Sequence, residues 1–174
     1  AFSFLKDGQT VSFGGSMTLE DTGMLTALRH DPGITLLDRA QAKTPEETKK
    51  IYHDALSSDF YFMSTNAITK DGELVNIDGT GNRVASLIYG PEHVIVMAGM
   101  NKVAANVDEA LSRVHGTATP MNCKRLGKNT PCSATGVCSD CLSPDCICNQ
   151  VVITRRSGIE GRIKVILIGE ELGY

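Results

Sequence analysis

Residues 60–98 read FYFMSTNAITKDGELVNIDGTGNRVASLIYGPEHVIVMA, and this stretch decides the fold. Its two ends, Phe60–Ser64 and Val94–Ala98, are apolar on consecutive residues, which indicates strands buried on both faces. Between them, Asp71-Gly72 separates two strand-like arms, as a two-residue type I′ hairpin requires. An apolar stretch from Val84 to Tyr89 then predicts a helix. The sequence therefore predicts a strand, an inserted hairpin, a helix and a second buried strand.

The alternation continues on both sides of this stretch. Four more apolar runs are predicted strands: Thr10–Phe13, Ile34–Leu37, Val151–Thr154 and Ile163–Ile168. Helical patterns separate several of these runs. Strands that alternate with helices predict an α/β fold with a mostly parallel sheet flanked by helices.

Three predicted helices have recognisable starts or faces. One begins near Thr18 to Asp21, in the sequence TLED. Another has Thr44 as N-cap, Pro45 at the first helical position and Glu47 reaching back to the cap. A third, from about Val103 to Val114, has an apolar stripe with helical spacing, as expected of a helix packed on a sheet.

The composition sets limits on domain number and function. The chain has 174 residues, enough for one continuous core and a single domain over residues 1–174. A net charge of −3 and the lack of Trp argue against nucleic acid as the main partner. No apolar run reaches the ~20 residues of a membrane span, and no leader is visible, so we expect a cytoplasmic protein. The chain begins AFSFLKDGQT without Met, so we expect part of the natural N-terminus to be absent.

The first of two glycine loops lies at residues 11–18, VSFGGSMT. A strand, a glycine turn and a helix start present backbone N–H groups and a helix dipole, which can receive an anion. The hydroxyls of Ser16 and Thr18 could add donors. The simpler interpretation is a tight strand-to-helix turn in which Thr18 is the N-cap.

The second glycine loop, residues 76–83, reads NIDGTGNR. It combines the Asp78 acceptor, the Asn82 amide and the Arg83 guanidinium, whose fork suits a carboxylate or a phosphate. In an enzyme, Arg83 would orient the anionic group and Asp78 is the candidate general base. The simpler interpretation is that Asp78 caps the end of the hairpin and that Arg83 is solvated.

All six cysteines lie in residues 123–148, CKRLGKNTPCSATGVCSDCLSPDCIC, which also contain glycines and prolines typical of a loop. Neither a zinc ribbon nor a bacterial ferredoxin has this spacing, although it includes a C-x2-C pair. The four histidines are dispersed, which argues against a histidine-rich metal site. Four interpretations stay open: zinc, an iron–sulfur cluster, reduced thiols with a packing role, and disulfides. The candidate metal ligands are Cys132, Cys138, Cys141, Cys146 and Cys148.

Three stretches together resemble the lactate-utilisation (LUD) domain family: GGSMTLEDTG, NAITKDGELVNIDGTGNRVASLIYGP and NCKRLGKNTPCSATGVCSDCLSPDCICN. The resemblance covers nearly the whole chain. It implies a fold like that of the sugar-phosphate isomerase and CoA-transferase superfamily, with the ligand site at the glycine loops. Some members of the family are implicated in the oxidation of L-lactate to pyruvate together with iron–sulfur partner subunits.

The resemblance also implies which residues bind the ligand. Gly14, Gly15, Ser16 and Thr18 would form one side of the pocket, and Asn66, Asp78, Gly79, Gly81, Asn82 and Arg83 the other. The leading hypothesis is a protein that binds a small anionic metabolite in lactate or 2-hydroxy-acid oxidation. One alternative is a non-catalytic assembly or metal-binding subunit, and another is a sugar-phosphate isomerase or hydrolase. The sequence leaves open whether the protein is an enzyme and whether it forms a homo-oligomer.

Overall fold

The computed structural model describes residues 1–174 and contains nine strands and seven α-helices. The strands are β1 (Thr10–Phe13), β2 (Thr35–Leu37), β3 (Phe60–Met63), β4 (Ala67–Thr69), β5 (Leu74–Asp78), β6 (His93–Gly99), β7 (Val103–Ala104), β8 (Gln150–Thr154) and β9 (Ile163–Ile168). The helices are α1 (Met17–Asp21), α2 (Met24–His30), α3 (Pro45–Ala55), α4 (Asn82–Ile88), α5 (Val107–Arg113), α6 (Thr119–Arg125) and α7 (Pro131–Thr135). One π-helical turn, Val114–Ala118, joins α5 to α6.

The main sheet has five strands in the order β2-β1-β3-β6-β9, and every pairing in it is parallel. Every residue of the central strand β3 is buried, as its continuous apolar sequence predicted. Helices connect successive parallel strands, because a parallel pair cannot be joined by a tight turn. The predicted α/β class with a mostly parallel sheet is confirmed.

A second sheet has the order β7-β4-β5-β8 and contains the predicted hairpin, β4 and β5. The predicted turn type is wrong. The Thr69 amide donates to the Glu73 carbonyl at 2.9 Å, so the loop has three residues, 70–72, instead of two. Only Gly72 in this loop has a positive φ, at 89°, whereas a type I′ turn needs positive values at both central residues.

Strand β8 also departs from the expected burial on both faces. It pairs antiparallel with β5 at the edge of the second sheet. Val151 and Ile153 on this strand are exposed, because an edge strand of a sheet open on one face leaves alternate side chains in solvent.

The second predicted helix begins as expected. The Thr44 hydroxyl accepts a hydrogen bond from the Glu47 amide at 3.2 Å, and Pro45 takes the first helical position. Glu47 does reach back, although its carboxylate accepts from the amide of Lys43, one residue before the cap.

The other two helix starts are wrong by a few residues. The Ser16 hydroxyl accepts from the Leu19 amide, so Ser16 is the N-cap of α1 and Thr18 lies inside its first turn. The third helix starts only at Val107, because Asn106 caps it by accepting from the Glu109 amide at 2.9 Å. Val103, which was assigned to the same helix, lies in β7.

The core lies on both faces of the main sheet. On one face Phe62 packs with residues of α1 and α2, and on the other Met63 packs with Leu87 of α4. A third cluster, which includes Val75 and Ala110, fills the space between the second sheet and α5. The two sheets share no ladder, but Ile68 and Leu74 of the second sheet belong to the same buried cluster as Met63 of the main sheet.

The buried side chain of Arg162 fixes the C-terminal end of α4 to the main sheet. Its guanidinium donates to the backbone carbonyls of Pro91 (2.9 Å), Leu87 (2.7 Å) and Ser86 (2.9 Å). Arg162 is only 6 % exposed and has no carboxylate partner. A cation at a helix C-terminus is favourable because the unpaired carbonyls carry partial negative charge.

We expect Arg162→Ala to lower the free energy of unfolding by about 3 kcal/mol, because it leaves three buried carbonyls without donors. Urea unfolding followed by circular dichroism measures the change. Arg156→Ala is the matched control, since Arg156 is exposed, and should change stability by less than about 0.5 kcal/mol. Equal stability of the two variants would contradict this role of Arg162.

Candidate functional site

A cavity of about 370 Å³ opens at the carboxyl ends of the parallel strands. Gly15 and Ser16 follow β1, Ser64 and Asn66 follow β3, and Lys102 follows β6, and all five residues line the cavity. These three strands are neighbours in the sheet. Ligands of open α/β sheets bind at this edge, outside the carboxyl ends of the strands.

The structure brings the two predicted glycine loops together at this cavity. Seven of the ten predicted ligand residues line it: Gly15, Ser16, Asn66, Asp78, Gly79, Asn82 and Arg83. The other three support the lining from behind. Gly14 backs the Arg83 side chain, Thr18 accepts a hydrogen bond from Lys102, and the Gly81 amide donates to Asp78. Direct binding of a ligand by any of these ten residues stays a prediction.

Gly15 leaves room for the Arg39 side chain to approach the backbone closely. A Cβ atom at this position would collide with the guanidinium of Arg39. Arg39 in turn lies over the Tyr52 ring, 5.9 Å from its centre, and donates to the Tyr52 hydroxyl at 3.2 Å. The first glycine loop therefore lets a cation lie against the backbone at the mouth of the cavity.

Arg83 is the centre of the second glycine loop, and all five of its N–H groups have acceptors inside the protein. These acceptors are Asp78 (3.1 Å), the Ser64 carbonyl (3.2 Å), Asn76 (2.5 Å), Asn66 (3.0 Å) and the Ile77 carbonyl (3.0 Å). No donor is left for a ligand. The structure therefore does not support the predicted anion clamp, and it also excludes the simpler interpretation of a solvated Arg83.

Both carboxylate oxygens of Asp78 are also hydrogen-bonded within the protein. One carboxylate oxygen accepts from Arg83 Nε at 3.1 Å and the other from the Gly81 amide at 2.8 Å. A general base needs a free lone pair directed at the ligand. The geometry instead agrees with the interpretation in which Asp78 caps the end of the hairpin.

The sequence analysis missed Lys102, as it missed Arg39. Lys102 is only 3 % exposed, and its Nζ donates to the hydroxyls of Thr18 (2.8 Å) and Ser64 (3.1 Å). Burial, and to a smaller extent the nearby cations Arg113 and Arg83, lower its pKa to about 7 against a weaker opposing effect of Asp21. Its position shortly after the buried strand β6 was the signal available in the sequence.

The cavity is strongly basic. Five cationic side chains line it, whereas Asp78 is the only acidic one, and Arg83 already neutralises that carboxylate. The cations are Arg39, Arg83, Lys102, Arg125 and Lys128. Arg39, Lys102 and Arg125 form no ion pair, so the site carries excess positive charge that a ligand can meet.

The cysteines are free thiols, and Cys123 and Cys132 are buried. Cys138 Sγ lies 3.4 Å from His115 Nδ1, and Cys146 lines the cavity. No three histidine, cysteine or acidic side chains come together in a group that could hold a metal ion. As placed, these residues do not fit a zinc ion or an iron–sulfur cluster, and both interpretations stay predictions.

These observations define an α/β protein with a basic cavity at the carboxyl edge of a parallel sheet. The LUD domain family profile matches residues 2–168, so the chain belongs to the LUD domain family. The predicted family is thus confirmed. No match was found among curated proteins.

Several solved structures resemble the chain weakly. A DUF162 family protein from Deinococcus radiodurans is 12% identical, with 93% of this chain and 88% of that chain covered and a TM-score of 0.40. Ribose 5-phosphate isomerase from Plasmodium falciparum is 14% identical, with 59% of this chain and 48% of that chain covered and a TM-score of 0.35. eIF2B delta from Chaetomium thermophilum is 20% identical, with 64% of this chain and 50% of that chain covered and a TM-score of 0.37. The chain spans about half the length of the first structures it matches, and at these TM-scores the likeness carries no functional argument.

None of the helices combines the length and the apolar character that crossing a bilayer would require. The expected cytoplasmic location, the iron–sulfur partners and the homo-oligomer stay predictions.

We expect Arg83→Met to lower the free energy of unfolding by about 3–5 kcal/mol, because Asp78 would be left buried and without its partner. Adding Asp78→Asn should recover part of this loss, since no charge then stays uncompensated. Urea unfolding of the single and double variants measures both effects.

The control for the Arg83 series is Lys50→Met. It removes the exposed pair of Lys50 and Asp54 and should cost less than about 1 kcal/mol. If Arg83→Met were no more harmful than this control, the proposed structural role of Arg83 would be wrong.

We expect Cys123 and Cys148 to react with iodoacetamide at pH 8 at least about 10-fold more slowly than Cys141. Burial raises the pKa of the Cys123 thiol, and burial with the neighbouring Cys146 raises the pKa of Cys148 to about 12, so few thiolates form. Cys141 is partly exposed. Mass spectrometry of digested protein gives the rates. Uniform protection of all six thiols, relieved by a chelator, would instead favour the metal prediction.

Proposed function

We propose that this LUD-family protein binds a small anionic metabolite in the basic cavity and acts in the oxidation of lactate or a related 2-hydroxy acid. The observation that carries the proposal is the excess of cations around the cavity. Family membership supports the link to lactate utilisation at the level of the family.

The charge distribution selects an anion. Arg39 and Lys102 line the same cavity, and neither has a carboxylate partner. Because no carboxylate of the protein offsets their positive charge, an anionic group that enters the cavity is attracted to them. Arg83 is fully engaged within the protein, and Arg125 is exposed and bonded to Asn122 and Tyr174. Arg39 is therefore the half-buried guanidinium with donors left for a carboxylate.

The size and the polar lining fit a small hydroxylated compound. A volume of about 370 Å³ lies near the lower end of the range for small-molecule sites. Asn82 lines the cavity. Its backbone carbonyl accepts from Ser86, but its side-chain amide forms no hydrogen bond with the protein. An amide can donate to or accept from a hydroxyl group. A 2-hydroxy acid offers both a carboxylate for Arg39 and a hydroxyl for Asn82.

Oxidation of a 2-hydroxy acid to a 2-oxo acid releases two electrons. Under this proposal the chain holds the organic acid, and iron–sulfur partner subunits in the cytoplasm accept the electrons. The resemblance to the family supports that division of labour. Titration with sugar phosphates addresses the isomerase alternative, because preferred binding of a sugar phosphate over any 2-hydroxy or 2-oxo acid would favour it.

We expect L-lactate or pyruvate to bind the wild-type protein in isothermal titration calorimetry, and Arg39→Met to weaken that binding at least about 10-fold by removing one charge-assisted contact. Raising the salt concentration should weaken binding as well. Arg156→Met is the control, since it removes an exposed cation that does not line the cavity.

Two results would overturn the proposal. One is that no 2-hydroxy or 2-oxo acid binds to a folded protein. The other is that Arg39→Met and Arg156→Met bind as tightly as wild type, which would place the ligand elsewhere.

A further inference from the structure

Lys102 is a buried amine at the cavity with no acidic group in contact. It is 3 % exposed and belongs to none of the ion pairs of the structure. A buried lysine without a carboxylate is rare, because desolvation of the ammonium costs several kcal/mol. The amine therefore has either a ligand as its partner or a reason to be uncharged.

The surroundings of Lys102 favour the uncharged form. Burial disfavours the charged ammonium most, and Arg113 of α5 and Arg83 of α4 add positive charge near Nζ, which acts in the same direction. Asp21 of α1 is the one carboxylate with an opposing effect, and it accepts a hydrogen bond from the Gly173 amide instead of pairing with the lysine. Together these groups lower the pKa of Lys102 to about 7.

Two hydroxyl groups hold the amine in place. Nζ lies 2.8 Å from the Thr18 hydroxyl and 3.1 Å from the Ser64 hydroxyl, and these come from α1 and from the loop after β3. The Thr18 hydroxyl also donates to the Leu172 carbonyl at 3.1 Å. The lysine is thus anchored from both sides while it lines the cavity. An uncharged amine fixed in this way can act as a nucleophile, as a desolvated lysine beside other cations does.

We propose that Lys102 forms an imine with the carbonyl carbon of an anion-bearing carbonyl compound in this cavity. The inference rests on the proposed function for its ligand class, the 2-oxo acids. Arg39 would hold the carboxylate, and the carbonyl carbon would face the amine.

The step balances without a redox partner. The Nζ lone pair attacks the carbonyl carbon and forms the C–N bond, which gives a carbinolamine. The former carbonyl oxygen then leaves as water with two hydrogens, which in net terms come from the amine. A carbon–nitrogen double bond replaces the carbon–oxygen double bond, and no atom is oxidised or reduced.

Borohydride trapping tests the imine. Wild-type protein incubated with pyruvate and sodium borohydride should gain one reduced pyruvate adduct, and peptide mapping should place it on Lys102. L-lactate has no carbonyl group, so it should give no adduct and should slow the reaction with pyruvate. Lys102→Met should lose the adduct, whereas Lys49→Met, which changes an exposed lysine, should keep it.

A ligand-free measurement keeps the inference testable if Lys102→Met fails to fold. Acetic anhydride modifies only uncharged amines, so wild-type Lys102 should be half-maximally reactive near neutral pH. Acetylation of Lys102 only at strongly alkaline pH, as for an ordinary lysine amine, would overturn the inference.

The outcomes separate this inference from the proposed function. Pyruvate that binds in calorimetry but gives no adduct, or only scattered adducts on surface lysines, would overturn the imine and leave the proposed function standing. If no anion binds to the folded protein, the proposed function fails. The imine with a 2-oxo acid then fails with it, even where the acetylation profile shows a reactive amine.

Discussion

The hydrogen bonds of Arg83 are the interaction on which the rest of the site depends. The guanidinium, which belongs to α4, joins the loop after β3 to strand β5, through the carbonyl of Ser64 and the carboxylate of Asp78. The main sheet and the second sheet share no ladder, so these contacts fix one sheet edge relative to the other. The cavity lies at this junction, and its shape follows from the Arg83 network.

This network separates the cations of the site into two kinds. Arg83 is neutralised by Asp78 and has no donor left, so its role is structural: it holds the residues that line the cavity in place. Arg39 and Lys102 have no acidic partner. Arg39 supplies unbalanced positive charge to the cavity, whereas burial and neighbouring cations lower the pKa of Lys102 to about 7, which makes an uncharged amine accessible. A buried ion pair contributes little attraction for a further anion, because its charges already compensate each other, whereas an unpaired cation retains its full field. The chemistry of the site therefore depends on the cations that the fold leaves without partners.

Much of the fold could be read from the sequence. Runs such as Phe60–Ser64 and Val94–Ala98 predicted buried parallel strands, because residues covered on both faces must be apolar at every position. The Thr44 cap was also readable, since its hydrogen bond spans three residues. The hairpin turn and the start of α5 were misassigned, because the Asp71-Gly72 pair fits more than one loop length, and an apolar stripe of helical spacing continued through the short strand β7.

The sequence by itself determined the α/β class, the two glycine loops after the strands and the family, because these depend on local patterns of burial and backbone conformation. The tertiary structure decided which charged groups are paired. Arg83 is satisfied by Asn66, 17 residues away, and Lys102 is held by Thr18, 84 residues away. The solvation and protonation of a side chain depend on the atoms that surround it in space. A one-dimensional pattern could therefore propose Arg83 as the anion site, and only the folded chain showed that Arg39 and Lys102, and not Arg83, lack an acidic partner.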